Sequence, residues 1–142
     1  MKPIILRELK RMSGEKDLEK LLKNMSPTLN EGEYVFITLP GYYGEYTYLE
    51  PIGSFKEKEG LTLIIPIEKA IENNIEAKDI FKVITLNAHS SLNAVGLTAA
   101  VASKLSLNGI SANVIAAYYH DHIFVQTQYA EKALSLLMEL IE

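Results

Sequence analysis

The spacing of apolar and polar residues divides the chain into short elements. Leu18, Leu21, Leu22 and Met25 recur at helical intervals and Pro27 follows, which predicts a helix over residues 17–25. After Gly32, Tyr34–Leu39 is a run of β-branched and aromatic residues closed by Pro40-Gly41, the signature of a strand. Residues 52–55 and Leu61–Pro66 flank the charged turn Lys56-Glu57-Lys58-Glu59-Gly60 and predict a hairpin, followed by a short helix over residues 67–73. Phe81–Leu86 is a further strand. A polar stretch, Asn87-Ala88-His89-Ser90-Ser91, leads into an expected helix over residues 92–108, with Val95, Ala99, Ala102 and Leu105 inward and Gly109 as its stop. Residues 111–117 and 123–127 predict a second hairpin around a turn at 118–122. Residues 129–142 predict a closing helix with Ala133, Leu136, Leu137, Leu140 and Ile141 inward.

The second half therefore reads β-α-β-β-α, a split βαβ lacking only its last strand. The first half reads α-β-β-β-α, and becomes similar if residues 4–6 or a borrowed strand start it. Glu68-Lys69-Ala70-Ile71 and Glu131-Lys132-Ala133-Leu134 both open a helix just after a hairpin, 63 residues apart, which points to an internal duplication. The expected fold is α+β, two tandem ferredoxin-like βαββαβ units whose antiparallel sheets are covered by helices.

Composition narrows the possible chemistry. The chain has 142 residues, 48% hydrophobic and 23% charged, as a folded domain should. With no cysteine it has no disulfide, thiolate metal site or cysteine nucleophile. The net charge is −4. It is uneven: Lys2, Arg7, Lys10 and Arg11 against Glu8 give residues 1–12 a net 4 − 1 = +3, leaving −7 for the rest. An acidic chain argues against nucleic acid as a partner. No apolar run approaches a signal peptide or the ~18 residues of a membrane span, so a cytoplasmic protein without a membrane partner is expected.

Phosphate-loop, dinucleotide-binding, nucleophile-elbow and zincin motifs are all absent. Gly41-Tyr42-Tyr43-Gly44 has the form of an RNA-binding loop but lacks its basic setting. Tyr42, Tyr43, Tyr46 and Tyr48 are expected to cover the sheet, and of Tyr118 and Tyr119 one should face inward and one outward. In His120-Asp121-His122 the two histidines would share one face of a strand, where with His89 they offer imidazole metal ligands; the plainer role of the trio is to cap a tight hairpin. His89 beside Ser90 and Ser91 offers a base and hydroxyls, but no acid orients the base, and a serine there suits a helix cap. The amides near Asn93, Ala94, Val95 and Gly96 start the helix without partners, a place that suits a carboxylate, and Gly96 permits close approach. Asn113, early on the next strand, offers a side-chain amide.

The run from His89 to Ala100 (His-Ser-Ser-Leu-Asn-Ala-Val-Gly-Leu-Thr-Ala-Ala) continues in Gly109-Ile110-Ser111-Ala112-Asn113-Val114-Ile115 and Tyr118-Tyr119-His120-Asp121-His122-Ile123-Phe124-Val125. Together they resemble the ACT domain, and especially small bacterial proteins built of two ACT-like units. In the first half Met25-Ser26-Pro27, Gly32-Glu33-Tyr34-Val35-Phe36, Leu49-Glu50-Pro51-Ile52 and Glu59-Gly60-Leu61-Thr62-Leu63 carry the likeness. The resemblance implies an N-terminal extension over residues 1–12 and units over 13–76 and 77–142.

It also implies a regulatory protein that is no enzyme, needs no cofactor or metal, and binds a small molecule, in this family an amino acid, where two units meet. The implied ligand residues are His89, Ser90, Ser91, Leu92, Asn93, Val95, Gly96 and Leu97 in the first β-to-α loop, with Ile110, Ser111, Ala112 and Asn113 after the helix. Many ACT loops carry an aspartate three residues before the glycine. Here the loop reads Asn93-Ala94-Val95-Gly96, so the α-ammonium falls to Asn113 and strand carbonyls. A homodimer is the expected assembly. The alternatives are an interaction module without ligand, and a small metal enzyme using His89, His120 and His122.

Overall fold

The computed structural model describes residues 15–87 and 96–141. Its elements are α1 (Glu15–Lys23), β1 (Thr28–Leu29), β2 (Tyr34–Leu39), a 3-10 segment (Tyr43–Leu49), β3 (Gly53–Lys56) and β4 (Leu61–Pro66). They continue with α2 (Ile67–Glu72), β5 (Phe81–Leu86), α3 (Leu97–Ser106), β6 (Asn113–Ala116), β7 (Asp121–Gln126), a 3-10 turn (Thr127–Tyr129) and α4 (Ala130–Glu139). The chain packs as two compact units, one of residues 31–82 and one combining the chain up to Asn30 with Val83 onward.

The 31–82 unit is built on a three-strand antiparallel sheet, β3-β4-β2, with Phe81 at the start of β5 paired to Tyr34. Alternation places Val35, Ile37, Leu61, Leu63 and Ile65 on one face, where they are buried with Leu49 and Ala70. On the other face the rings of Phe36 and Phe81 meet edge to face with centroids 5.1 Å apart. The loop tyrosines do not cover the sheet as expected: Tyr42, Tyr43 and Tyr48 are exposed, and Leu49 and Tyr46 supply the apolar contact. The 3-10 segment lies between β2 and β3, where a ferredoxin-like βαββαβ pattern carries its first helix. Glu45 accepts the Tyr42 amide N–H at its start, and Glu50 ends it in the left-handed region.

In the other unit the strand order is β1-β5-β7-β6. The second half lacks a last strand in sequence, and Thr28 and Leu29 provide it, pairing antiparallel with Thr85 and Ile84. Two residues between Pro27 and Gly32 carry too little alternation to be read as a strand. One face of this sheet is covered by α1, α3 and α4, which share a core of Leu18, Leu22, Met25, Ile84, Leu86, Leu97, Val101, Leu105, Ile123, Val125 and Leu137. Full burial of each such aliphatic side chain is worth about 1.5–3 kcal/mol, so this is the principal core. The helix at the start of the chain thus serves the unit made mostly of the second half.

Several expected boundaries move. α3 is described from Leu97, and Gly96 before it takes φ 102°, a left-handed conformation incompatible with helix, while the expected start over residues 92–95 lies outside the described residues. Its buried stripe is Leu97, Ala100, Val101 and Leu105. Ala99 is exposed and Ala102 only half-buried, so the stripe is turned from the expected one, while Val95 lies outside the described residues. The 118–122 turn is tighter than expected: the Ala117 amide donates to the His120 carbonyl, and β7 starts at Asp121. Tyr118 and Tyr119 therefore sit at the tip and both are exposed, at 90% and 66%, with rings 4.9 Å apart. The two Glu-Lys-Ala segments do occupy equivalent places: Ala70 on α2 and Ala133 on α4 are both buried.

Candidate functional site

Of the site residues expected from sequence, His89, Ser90, Ser91, Leu92, Asn93 and Val95 lie outside the described residues. Gly96 is the N-cap of α3, and no side chain caps the helix there. The Gly96 carbonyl accepts the Ala100 N–H over 2.8 Å, so the helix is formed from its first turn. Leaving the Leu97, Thr98 and Ala99 amides without intrahelical partners is what any helix start does. Leu97 itself is buried in the core, so only its backbone can meet a ligand.

At the other end of α3, Ile110 is buried and Ser111 is exposed, while Ala112 is half-buried against the core. Asn113 opens β6 opposite Phe124, and its Nδ2 donates to the Phe124 carbonyl over 3.2 Å. That bond orients the side chain along the sheet and leaves its Oδ1 as the acceptor. A carbonyl acceptor suits an ammonium.

Among the described residues, the helix start at Gly96 and the Ile110–Asn113 segment lie at opposite ends of α3. Gly96 and Ile110 bracket α3, whose ten residues span about 15 Å. The main chain of an amino acid is far shorter than that. The helix-start amides and the Ser111–Asn113 strand cannot both grip one such ligand in a single copy.

The sheet face opposite the helices holds polar contacts that the sequence did not announce. The Asn30 amide donates to the Val83 carbonyl over 3.3 Å and to the Thr85 hydroxyl over 2.7 Å. Thr85 Oγ1 lies 3.0 Å from His122 Nδ1. The rings of His120 and His122 are 6.3 Å apart, and His120 Nδ1 is buried without a hydrogen-bond partner. Burial, then His120, push the His122 pKa below its usual value, with Asp121 opposing; burial pushes Asp121 upward against the opposing effect of His122. Only pairwise contact predicts such a row, because its members are far apart in sequence. Among the described residues no three His, Asp or Glu side chains gather to hold a metal ion.

In the 31–82 unit the corresponding helix start is absent, since a 3-10 segment with an inserted kink at Tyr46 takes its place. Lys69 of α2 instead pairs with Glu50 over 3.1 Å and with Glu72 over 3.5 Å, which holds the end of that segment against α2. Both are solvent-facing pairs worth little individually.

Comparison with known proteins agrees with this architecture. Two ACT-domain family models match in tandem, over residues 13–82 and 76–139. A protein of unknown function from Vibrio cholerae, described as a possible transport protein, is 54% identical with a TM-score of 0.84, covering 91% of this chain and 99% of its own. A protein from Agrobacterium tumefaciens is 19% identical with a TM-score of 0.63, covering 81% of this chain and 87% of its own. The regulatory subunit of aspartate kinase from Thermus thermophilus is 10% identical with a TM-score of 0.58, covering 84% of this chain and all of its own, and shares the fold. No curated protein matched the chain. The chain belongs to the ACT-domain family. ACT domains are regulatory, ligand-binding modules, and this chain carries two of them. No helix among the described residues is long and apolar enough to cross a membrane.

Proposed function

We propose that the protein is a non-catalytic regulator that binds an amino acid where two copies meet. The helix-start amides after Gly96 in one copy take the carboxylate, and Ser111 to Asn113 of the second copy take the ammonium. The reading rests on the opposite-end placement of these two segments about α3, together with the Asn113 Oδ1 acceptor left by its bond to Phe124. Binding then joins the copies, and a partner enzyme or protein senses the joined form. We take the repeat to divide at residue 76, with residues 1–12 as an extension to the pair, and the protein to act as a homodimer in the cytoplasm.

A thermal-shift screen of the twenty amino acids tests this. A ligand at 100 times its Kd stabilises the folded form by about 2.7 kcal/mol, which a melting curve resolves easily. At least one amino acid should raise Tm and shift the protein to dimer. No shift with any of them at millimolar concentration would remove the amino-acid reading.

A further inference from the structure

The Asn-Gly dipeptide at 108–109 sits in a helix-ending turn that determines whether its chemistry can occur. α3 closes in a Schellman arrangement. The Gly109 N–H donates to the Ser106 carbonyl over 3.0 Å, and the Ile110 N–H reaches back to Leu105 over 2.9 Å. Gly109 takes φ 76° as the left-handed residue this turn requires, and Ile110 packs into the same core as Leu105. The Asn108 side chain is fixed as well, its Nδ2 donating to the Lys104 carbonyl over 2.8 Å. Asn108 and Gly109 are otherwise exposed to water.

An asparagine followed by glycine undergoes intramolecular cyclisation. The Gly109 nitrogen attacks Asn108 Cγ and forms the N–Cγ bond of a succinimide. The Cγ–Nδ2 bond breaks, and ammonia leaves with the proton lost from the Gly109 nitrogen. Water then adds to one of the two imide carbonyls and opens the ring to aspartate or isoaspartate. Attack requires a Gly109 nitrogen free of its hydrogen bond and a side chain free to swing over the backbone. In the closed turn the first donates to Ser106 and the second to Lys104.

We propose that Asn108 is a spontaneous deamidation site gated by opening of the last turn of α3. The modification proceeds only through the open form, at a rate scaled by its population. Both products place a negative charge at a helix C-terminus, where the macrodipole is already negative. The isoaspartate product also lengthens the main chain between α3 and β6 by one methylene, just ahead of Ile110 and the Ser111–Asn113 segment. The turn therefore cannot close again as before.

The test compares the full-length protein held at 37 °C and mildly alkaline pH with and without denaturing urea. Peptide mass mapping follows the gain of about 1 Da that conversion of an amide to an acid produces. The denatured chain should modify first at Asn108, and the native protein should do so at least about tenfold more slowly, in step with exchange of the Gly109 and Ile110 amide hydrogens. Asn108→Ser should abolish the mass gain in that peptide. Equal rates in native and denatured protein would overturn the gating. So would native deamidation that proceeds without any matching exchange at Gly109, and a denatured chain that modifies another asparagine first would overturn the assignment of the site.

Discussion

The Thr85 hydroxyl lies 3.0 Å from Nδ1 of His122, and it already accepts the Asn30 amide N–H over 2.7 Å. The hydroxyl proton is thus available to His122, which assigns the neutral ring with its proton on Nε2. The three residues come from the segment after β1, from β5 and from β7, so the contact ties three parts of one sheet. Protonating His122 would place a second donor against Thr85 and force its hydroxyl to turn away.

Stability should therefore fall on mild acidification. Burial holds the folded His122 below its ordinary value of 6.5, so the unfolded chain takes up the proton first. The contribution is fully present above the unfolded value and is lost as pH drops toward the lower folded one. Asp121 acts in the opposite sense and lower down: its raised pKa gives stability that is lost as pH rises from 3.8 through the folded value. Between about pH 7.5 and 5.5, outside the usual carboxylate range, Tm should drop for the wild type and drop less for His122→Gln. Equal slopes for the two proteins would show that His122 is not the group responsible.

The α3 core face carries much of the stability of its unit. Leu105 is fully buried, and Leu105→Ala should cost about 2–5 kcal/mol by urea unfolding. Leu107, two residues on, is 63% exposed, and Leu107→Ala should stay within about 0.5 kcal/mol. Similar costs for the two would contradict the placement of Leu105 in the core and of Leu107 at the surface.

Gly96 tests the position of the helix start. At φ 102° an alanine carries the left-handed penalty of about 1–2 kcal/mol, whereas asparagine tolerates the region better. Gly96→Ala should lower stability more than Gly96→Asn in the same denaturant titration. If alanine were neutral or stabilising, the helix would extend through this residue.

The buried alanines of the two Glu-Lys-Ala segments should behave alike. Ala70→Leu and Ala133→Leu each force an extra side chain into a filled core, at a typical cost of about 1–3 kcal/mol. A tolerated leucine at either position, read by thermal unfolding, would break the equivalence of the repeats.

The elements most legible in sequence were those with strong local signals. β2, β4 and β5 match their expected limits because compact apolar runs end at Pro, Gly or Asn. The end of α3 was legible in Gly109, whose left-handed turn closes it. The start was not: Gly96 looked like a packing or ligand residue inside a helix rather than its cap. β1 escaped because two residues have no period, and only the missing last strand of the second half called for it. The Asn30–Thr85–His122 row was hidden for a different reason, since 55 and 37 positions separate its hydrogen-bonded members in the chain. The two segments of the candidate site were visible as motifs, but their separation by the length of α3 is a property of the fold.

A site shared between copies is tested most directly by mixing two defective variants. Gly96→Asp puts a carboxylate where the ligand's would lie, and Asn113→Ala removes the ammonium acceptor. Each alone should lose calorimetric binding of the amino acid that gives the largest thermal shift. With random exchange half of the dimers are mixed, and each mixed dimer regains one of its two sites, so the mixture should bind at about a quarter of the wild-type stoichiometry. A mixture that binds no better than either variant would contradict a site completed by the second copy.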